Sequence, residues 1–366
     1  MYERDARRAR AASEFRPTNI SLTVTSSLAV VVTLGLALTL ALALGAAAGD
    51  AAGAGANSKR TMNAELNIVS FGSINGELDD CGCKSQPKGG LPWRSAVMDG
   101  LRLYERPMLQ LDMGNFASTE EEGAGEIKTR FLWEAMGRLG VDAITLGTRE
   151  LALWPTMAEL IAAGDIPVVC SNLWEMKDGA RHPVGERSRI VDVNGIKVGL
   201  IGLIDGESVA KAHAAGNAAD APEFQFDDPL EAALALVPQL RAECDLVVLM
   251  SAMPANETDA LIAQVPGVDI ALYGNQPNWK QESAKHGGTI VQQTGTRGQY
   301  LGRLLLIVDP DGEIVDYGAV NRLVDNEFGI DEAMRAEIDE VTQRAKDRQA
   351  EARAKRPSAG ESKIGG

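Results

Sequence analysis

The sequence predicts an α/β fold in which two β-sheets pack against each other and helices cover their outer faces. Short β-branched runs such as Leu66–Phe71 and Met108–Asp112 alternate with helical patterns along most of the chain. The segment that ends near residue 324 is all strand, with a turn at Asp309-Pro310-Asp311-Gly312. No internal repeat is present. Mixed α/β segments followed by strands are typical of layered folds with two packed sheets.

The spacing of apolar residues predicts the individual elements. Strands are expected at 66–71, 108–112, 143–146, 167–170, 246–250, 270–273, 289–293, 300–308 and 313–317, with a hairpin formed by 187–193 and 197–204. Helices are expected at 91–104, 126–139, 154–163, 229–242 and 257–263, and a charged helix at 331–353. The last helix has an apolar stripe, but its high charge favours a solvated surface helix.

The composition excludes several classes of protein. The 366 residues include 36 basic and 51 acidic side chains, so the formal net charge is −15, which argues against a nucleic-acid binder. With 45% hydrophobic residues the chain is globular rather than disordered. Four cysteines in this length are too few for a fold built on disulfides.

The N-terminal segment predicts a membrane anchor. Residues 1–19 carry five arginines against three acidic side chains, and no charged side chain occurs between Arg16 and Asp50. Residues 20–48 are long enough to cross the bilayer once as a helix, with 1–19 in the cytoplasm. A cleaved signal peptide is the alternative, because Ala46-Ala47-Ala48 offers small-residue cleavage sites. Either interpretation puts the globular part in the periplasm or outside the cell, and the first places the chain in the inner membrane.

The remaining chain divides into three parts. Residues 49–64 are rich in Ala and Gly and are typical of a flexible tether. Residues 65–324 contain the predicted sheets and form the folded domain. Residues 325–366 are expected to form the C-terminal helix and a disordered tail. In open α/β sheets, ligands bind at loops that follow the carboxyl ends of strands, so the functional residues are expected in the loops of 65–324.

Short motifs occur at these strand ends in a characteristic order. They are Gly76, Gly89-Gly90, the run 111–114, the run 142–147, Ser171-Asn172, the hairpin 190–203, the run 266–274 and the run 295–302. This ordered set resembles the calcineurin-like metallophosphoesterases, and specifically their 5′-nucleotidase branch, over residues 66–324. The resemblance implies an αββα sandwich with a site for two divalent metals, which are held by Asp, Asn and His and activate water for phosphate-ester hydrolysis.

The positions that match the family's metal ligands carry other residues. Ser73-Ile74-Asn75 stands in place of Asp-x-His, Gly114-Asn115 in place of Gly-Asp, Gly147-Thr148-Arg149-Glu150 in place of Gly-Asn-His-Glu, Ser251-Ala252 in place of Ser-His, and Gly274-Asn275-Gln276-Pro277 in place of Gly-His-x-His. The three histidines, His182, His213 and His286, lie away from these strand ends. We therefore expect no bound metal and no cofactor.

The same positions suggest a binding site for an anion. Asn75, Asn115 and Asn275 are neutral oxygen donors, too weak to hold two transition metals against water. Arg149 adds a positive charge that repels cations. Arg149 and Arg297 are both expected to border this pocket, where they favour a negatively charged ligand.

The first of these loops also contains Cys81-Gly82-Cys83. It resembles a subgroup of extracytoplasmic nucleotidase-like proteins that carry Cys-x-Cys here, some of them described as selenoproteins. Two thiols at this spacing can close a small, strained and therefore reducible disulfide. Three interpretations stay open at this point: a redox-active pair, a structural disulfide, and contact with a metal or a partner's cofactor.

These observations lead to three hypotheses. The first is a membrane-anchored, extracytoplasmic protein that keeps the phosphoesterase fold without its metals and acts as a binding or complex subunit. Its partner is expected to be a membrane protein or an electron-transfer protein, and not a nucleic acid. The second is a divergent metal-dependent phosphoesterase, and the third is a thiol oxidoreductase that uses Cys81 and Cys83.

Overall fold

The computed structural model describes residues 60–83, 87–104, 106–154, 156–207, 222–275, 280 and 283–355. Its strands are β1 (Ala64–Phe71), β2 (Met108–Asp112), β3 (Ala143–Ile144), β4 (Leu173–Lys177), β5 (Ala180–Pro183), β6 (Arg189–Val193), β7 (Ile196–Ile204), β8 (Phe224–Phe226), β9 (Leu246–Ala252), β10 (Ile270–Tyr273), β11 (Ala284–His286), β12 (Thr289–Gln293), β13 (Tyr300–Val308) and β14 (Ile314–Leu323). Its helices are α1 (Leu91–Arg102), α2 (Ala124–Arg138), α3 (Thr148–Leu151), α4 (Thr156–Ala163), α5 (Pro229–Glu243), α6 (Ala255–Ile262) and α7 (Glu332–Lys355), and a 3₁₀ turn spans Asn326–Phe328.

The strands form two large mixed sheets and a small one. The first large sheet has the order β14-β13-β1-β2-β3, and the second has the order β11-β12-β10-β9-β7-β6. In the second sheet β7, β9, β10 and β12 run parallel, so their carboxyl ends meet at one edge. In the first sheet β1, β2 and β3 run parallel, which brings the loops after Phe71, Asp112 and Ile144 together.

Apolar side chains fill the space between the two large sheets. Leu66, Ile68 and Leu111 of the first sheet share one buried cluster with Val248 and Leu272 of the second. A second cluster packs α5 and α6 against the outer face of the second sheet. A third packs α1 against the outer face of the first sheet. The predicted α/β fold with two packed sheets is therefore confirmed.

Local sequence accounts for where the helices begin. Pro92 occupies the first turn of α1, where the missing N–H costs no hydrogen bond. Asp228 caps α5, since its carboxylate accepts a hydrogen bond of 3.0 Å from the Glu231 amide, and Pro229 follows it.

Most predicted elements are present within three residues of their expected ends, with two exceptions, at 167–170 and 313–317. The strand expected at 167–170 is wrong, because Val168 and Val169 make only isolated bridges, to Ile144 on one side and to Glu186 on the other. Strand β3 ends at Ile144, two residues early. Strand β14 continues to Leu323 instead of ending at 317, because it pairs along the whole length of β13.

The small sheet β5-β4-β8 was not predicted from the sequence. Strand β5 (Ala180–Pro183) is exposed at every position, so it has no apolar alternation to reveal it. The signal that identifies this hairpin is Asp178-Gly179, whose φ angles are 53° and 75°. Two left-handed residues in succession form the tight turn that connects antiparallel strands.

Helix α7 is part of the main core and not the solvated surface helix that its charge favours. Its stripe of Met334, Ile338 and Val341 is buried in one cluster with Phe131 and Trp133 of α2. The Arg138 guanidinium of α2 also forms an ion pair with Glu337 of α7. The apolar core formed by residues 65–324 thus extends to helix α7.

Within the described residues, no helix combines the length and the apolar character needed to cross a membrane. The predicted anchor at 20–48, the segment 1–19 and most of the tether at 49–64 lie outside the described residues, as do residues 356–366.

The burial of α7 makes a prediction about stability. Ile338→Ala should lower the free energy of unfolding by about 2–5 kcal/mol, because it leaves a cavity between α7 and α2. Glu340→Ala, on the exposed face of the same helix, should change it by less than about 0.5 kcal/mol. Urea unfolding of both variants measures the difference. Equal, small effects would contradict the packing of α7 into the core.

Candidate functional site

The candidate site lies where the loops after β1, β2 and β3 meet the loops after β10 and β12. Backbone hydrogen bonds join the first two loops, since the Ser73 amide donates to the Gly114 carbonyl (2.8 Å) and the Asn75 amide to the Asn115 carbonyl (2.9 Å). The Arg297 amide donates to the Ser73 carbonyl (2.6 Å), which brings in the loop after β12. The fold thus assembles segments that are far apart in the sequence.

These loops hold an unusual backbone conformation. Ser73, Asn75, Asn115 and Arg297 have φ angles of 51°, 60°, 54° and 62°, in the left-handed region. For Ser73 and Arg297 this conformation costs about 1–2 kcal/mol, whereas asparagine adopts it more readily. Strain of this kind persists only where the surrounding contacts fix it, and it tends to occur at functional sites.

Glu150 is the group that holds two of the loops in place. Its carboxylate is fully buried and accepts hydrogen bonds from the amides of Asn115 (2.9 Å), Ala117 (2.8 Å) and Gly147 (2.7 Å). Burial raises the pKa of the Glu150 carboxyl, while these amides oppose the rise. The sequence places Glu150 in a motif at a strand end. Nothing in the sequence indicates that its carboxylate accepts hydrogen bonds from backbone amides.

Asn115 is closely surrounded and its side chain is also engaged. Its Oδ1 accepts hydrogen bonds from the Thr148 hydroxyl and the Arg149 amide, both at 3.2 Å, and so caps helix α3 from a different loop. A Cβ atom at Gly147 would lie 2.3 Å from this oxygen, so only glycine fits there. Asn115 therefore stabilises the protein's own loop.

The Arg149 guanidinium bridges the loops from within the site. Its Nη1 donates to the Asn75 carbonyl (3.4 Å), the Ala117 carbonyl (3.1 Å) and the Thr119 hydroxyl (3.2 Å). Among the described residues, its Nε and Nη2 make no hydrogen bond, and the side chain is half-buried. The structure thus confines a positive charge among the strand-end loops.

The other predicted binding residues lie at different distances from Arg149. The Asn75 amide group donates to the Thr296 hydroxyl (2.6 Å), which places it in the same cluster. Arg297 is 46% exposed and forms an ion pair with Glu77 (2.9 Å) at the rim. Asn275 is half-buried after β10, and its side chain makes no hydrogen bond to a described residue. The structure therefore joins Asn75, Asn115 and Arg149 by hydrogen bonds, while the Arg297 side chain binds Glu77 at the rim.

A buried ion pair behind the site was not predicted from the sequence. Asp112 at the end of β2 is fully buried, and the nearest nitrogen of Arg94, which is 2% exposed, lies 4.0 Å away. The Arg94 guanidinium also stacks on Phe71, 3.4 Å from the ring centre. Burial raises the pKa of Asp112 to about 6, although Arg94 and the Gly114 amide oppose this. A charged residue on the mostly apolar helix α1 was the only hint of this pair.

Cys81 and Cys83 lie on the loop that leads into α1. Cys83 is exposed and its sulfur lies 3.8 Å from the Cys81 carbonyl oxygen, while Cys81 is half-buried. Cys170 is fully buried in the core, and Cys244 is half-buried. Of the four thiols, that of Cys83 is therefore the most accessible to a partner from solvent.

The donor set at these strand ends does not fit a pair of divalent metals. Within the described part of the chain, no three His, Cys, Asp or Glu side chains converge as a metal site would require. Among the described carboxylates here, Asp112 lies 4.0 Å from Arg94, Glu150 accepts hydrogen bonds from three amides, and Glu77 pairs with Arg297. The Ser73 hydroxyl donates to the Gly274 carbonyl, and the Ser251 hydroxyl pairs with Thr258 (2.7 Å). The donors that remain among the described residues at these strand ends are neutral amide oxygens beside a guanidinium. This combination does not attract cations.

Solved structures with the same architecture define the class of fold. The 5′-nucleotidase precursor of Thermus thermophilus is 21% identical with a TM-score of 0.66, over 77% of this chain and 59% of that one. The calcineurin-like phosphoesterase YfkN of Bacillus subtilis is 19% identical with a TM-score of 0.64, over 80% of this chain and 99% of that one. At these identities the likeness establishes the calcineurin-like phosphoesterase fold alone.

The sequence relatives identify the family. The snake venom 5′-nucleotidase of Crotalus adamanteus is 23% identical over 309 residues, which cover 76% of this chain and 51% of that protein. Together with further relatives of this type, it places the chain in the calcineurin-like metallophosphoesterase and 5′-nucleotidase family. The chain spans about half the length of the two 5′-nucleotidases it matches. No family model matches the sequence.

The buried hydrogen bonds of Glu150 make a prediction about stability. Glu150→Gln should lower the free energy of unfolding by about 1–3 kcal/mol, because the new amide NH₂ has to face at least one of the three backbone N–H donors. Glu134→Gln, at an exposed position of α2, is the matched control and should have little effect. Urea unfolding measures both, and equal effects would contradict the role of the Glu150 carboxylate.

The pKa of Asp112 makes a prediction about pH. Because the folded state holds this proton more tightly than the unfolded state, the contribution of Asp112 to stability falls as the pH rises from about 4 to about 6. Asp112→Asn removes this loss. The free energy of unfolding of the variant should therefore gain up to about 3 kcal/mol relative to the unmodified chain over this interval. A difference that stays constant between these pH values would show that Asp112 does not titrate in this range.

Proposed function

We propose that this chain is a metal-free member of its family that acts as a binding or complex subunit rather than as a hydrolase. One observation carries the proposal: the Arg149 guanidinium occupies the meeting point of the strand-end loops, held by the Asn75 and Ala117 carbonyls. A fixed positive charge at this point opposes the binding of two divalent cations. The hydrogen bonds of Asn115 and Glu150 support the proposal, because their side-chain oxygen atoms already accept hydrogen bonds within the protein and are less available to bind a metal.

The ligand that suits this site is a phosphate-bearing anion. The Nε and Nη2 atoms of Arg149 make no hydrogen bond to a described residue and can donate to two oxygens of one anion. Guanidinium groups recognise planar pairs of phosphate oxygens in this way. The ion pair between Arg297 and Glu77 leaves Arg149 as the main cationic contact.

We also propose a cellular location and a class of partner for this chain. Residues 20–48 would anchor the chain in the inner membrane by a single pass and place the globular domain in the periplasm or outside the cell. There it would bind a membrane protein or an electron-transfer protein. No nucleic acid is expected as a partner, given the net charge of −15.

A second candidate function is hydrolysis of phosphate esters through a divergent metal site. The names of the relatives favour it, because the Crotalus adamanteus protein and the Thermus thermophilus protein are both 5′-nucleotidases. The two candidates differ in one measurable property, which is the metal content of the active protein.

The full-length chain is used to distinguish these two functions. After incubation with Mn²⁺ and Zn²⁺ and removal of the excess, it should contain no stoichiometric metal and should not hydrolyse AMP. Calorimetry should detect AMP binding, and Arg149→Ala should weaken it about tenfold or more, since one charge-assisted contact contributes about 1.5–3 kcal/mol. Arg189→Ala is the matched control. Arg189 lies on β6 and forms an ion pair with Glu186, so this substitution should leave the affinity for AMP unchanged.

The opposite results have clear meanings. Stoichiometric metal together with AMP hydrolysis would replace the binding function by the phosphoesterase. An affinity that Arg149→Ala leaves unchanged would remove Arg149 from the binding site. Absence of AMP binding by the unmodified chain would rule out a nucleotide monophosphate as the ligand.

A further inference from the structure

Hydrogen bonds fix the described part of the loop that carries Cys81 and Cys83, which comprises residues 79–83 and Lys88. The Cys81 amide donates to the Lys88 carbonyl (2.9 Å), which closes the loop at its base. The Gly82 amide donates to the Asp80 carboxylate (2.7 Å), and Gly82 has a φ angle of 64° that brings the chain back on itself. The two cysteine side chains therefore lie close together, one half-buried and the other exposed.

The Cys81 sulfur sits among hydrogen-bond donors. The Cys83 thiol donates to it and lowers the pKa of Cys81, and the backbone amides of Cys83 and Lys88 act in the same direction. Burial and the charge of Asp80 oppose this. The same hydrogen bond to Cys81 raises the pKa of Cys83. The two thiols thus have different roles, with Cys81 the better thiolate and Cys83 the more accessible sulfur.

Basic side chains surround the exposed thiol. Lys88 and Arg297 are close enough to favour the charged form of Cys83 electrostatically. The Lys88 amine contacts the Tyr300 hydroxyl (3.4 Å), which holds it beside the loop. Arg297 is paired with Glu77, so Lys88 supplies the positive charge that an incoming negative group meets at this rim.

We propose that Cys81 and Cys83 form a thiol–disulfide exchange site whose oxidised form accepts two electrons from an acidic dithiol. This function is independent of anion binding at Arg149. The observations that carry it are the paired thiols, the exposure of Cys83, the amides at the Cys81 sulfur and the basic rim. A ring closed over one intervening residue is strained, and strained disulfides are readily reduced.

The exchange has two steps. A thiolate of the dithiol attacks the Cys83 sulfur, the Cys81–Cys83 bond breaks, and Cys81 leaves as a thiolate that the backbone amides stabilise. The second thiolate of the dithiol then attacks its own partner sulfur in the mixed disulfide and releases Cys83. The dithiol loses two electrons and two protons and becomes a disulfide, while Cys81 and Cys83 gain them and become thiols.

Helix α7 takes part through Arg335. The Arg335 guanidinium binds the Asp79 carboxylate and lies 3.9 Å from the Asp80 carboxylate. Asp80 opposes thiolate formation at Cys81. Arg335 is thus a positioning residue, since it compensates the charge of Asp80 and fixes the loop without touching either sulfur.

The first test measures electron transfer in the full-length chain. After mild oxidation, mass spectrometry with thiol alkylation should show a Cys81–Cys83 disulfide. Dihydrolipoate, which carries a carboxylate, should reduce it several-fold faster than neutral dithiothreitol at low ionic strength. Lys88→Gln should diminish this preference, and added salt should do the same. Neither Cys81→Ser nor Cys83→Ser should form this disulfide.

The outcomes that overturn the proposal are distinct. Failure of the disulfide to form, or resistance of that bond to both dithiols, would show that the pair is not an exchange site. Equal rates with both dithiols at low ionic strength would refute the acidic substrate. None of these results depends on whether the chain binds AMP or metal.

The second test examines Arg335 through the pH dependence of Cys81 alkylation by iodoacetamide in the Cys83→Ser background. Arg335→Gln should shift the profile to higher pH and slow alkylation at neutral pH, while Arg335→Lys should restore part of the rate. Glu337→Gln, which breaks the ion pair of α7 with Arg138, is the matched control and should leave the profile unchanged. Equal shifts in both variants would assign the effect to the stability of α7 and overturn the role of Arg335.

Discussion

The buried carboxylate of Glu150 is the contact on which the architecture of the site depends. It gathers the amides of Asn115, Ala117 and Gly147, which belong to the loops after β2 and β3. A buried carboxylate is costly unless several donors surround it, and here three backbone amides do so. With these loops fixed, Asn115 can cap α3 and the Arg149 guanidinium can span the gap to Asn75. Hydrogen bonds within the protein therefore fix the arrangement of the loops at this site.

This organisation explains how the strand-end loops of the site keep their shape. The apolar cluster between the two sheets consists almost entirely of strand residues, so it fixes the strands more directly than the loops that follow them. The loops need a further source of order, because residues with a left-handed backbone, such as Asn75 and Asn115, keep it only where contacts hold them. Hydrogen bonds accepted by Glu150 and donated by Arg149 provide these contacts.

The sequence predicted the layered α/β fold and most strands, because apolar alternation and short β-branched runs reflect burial directly. It also located Asn75, Asn115 and Arg149 at strand ends, and parallel strands bring such ends together. It missed β5, whose residues are all exposed, and it missed the burial of α7, whose stripe occupies only one face of a highly charged helix. Periodicity reports whether a segment buries a face, but not which surface covers that face.

The sequence by itself determined the kinds of side chain available: amides and arginines where metal ligands are expected, and two thiols one residue apart. Only the tertiary structure decided how they are used. It paired Asp112 with Arg94 inside the protein, paired Arg297 with Glu77, and brought Arg335 of α7 to the cysteine loop. Charges interact over a few ångströms, and residues as far apart in the sequence as Asp79 and Arg335 acquire that distance only when the chain folds.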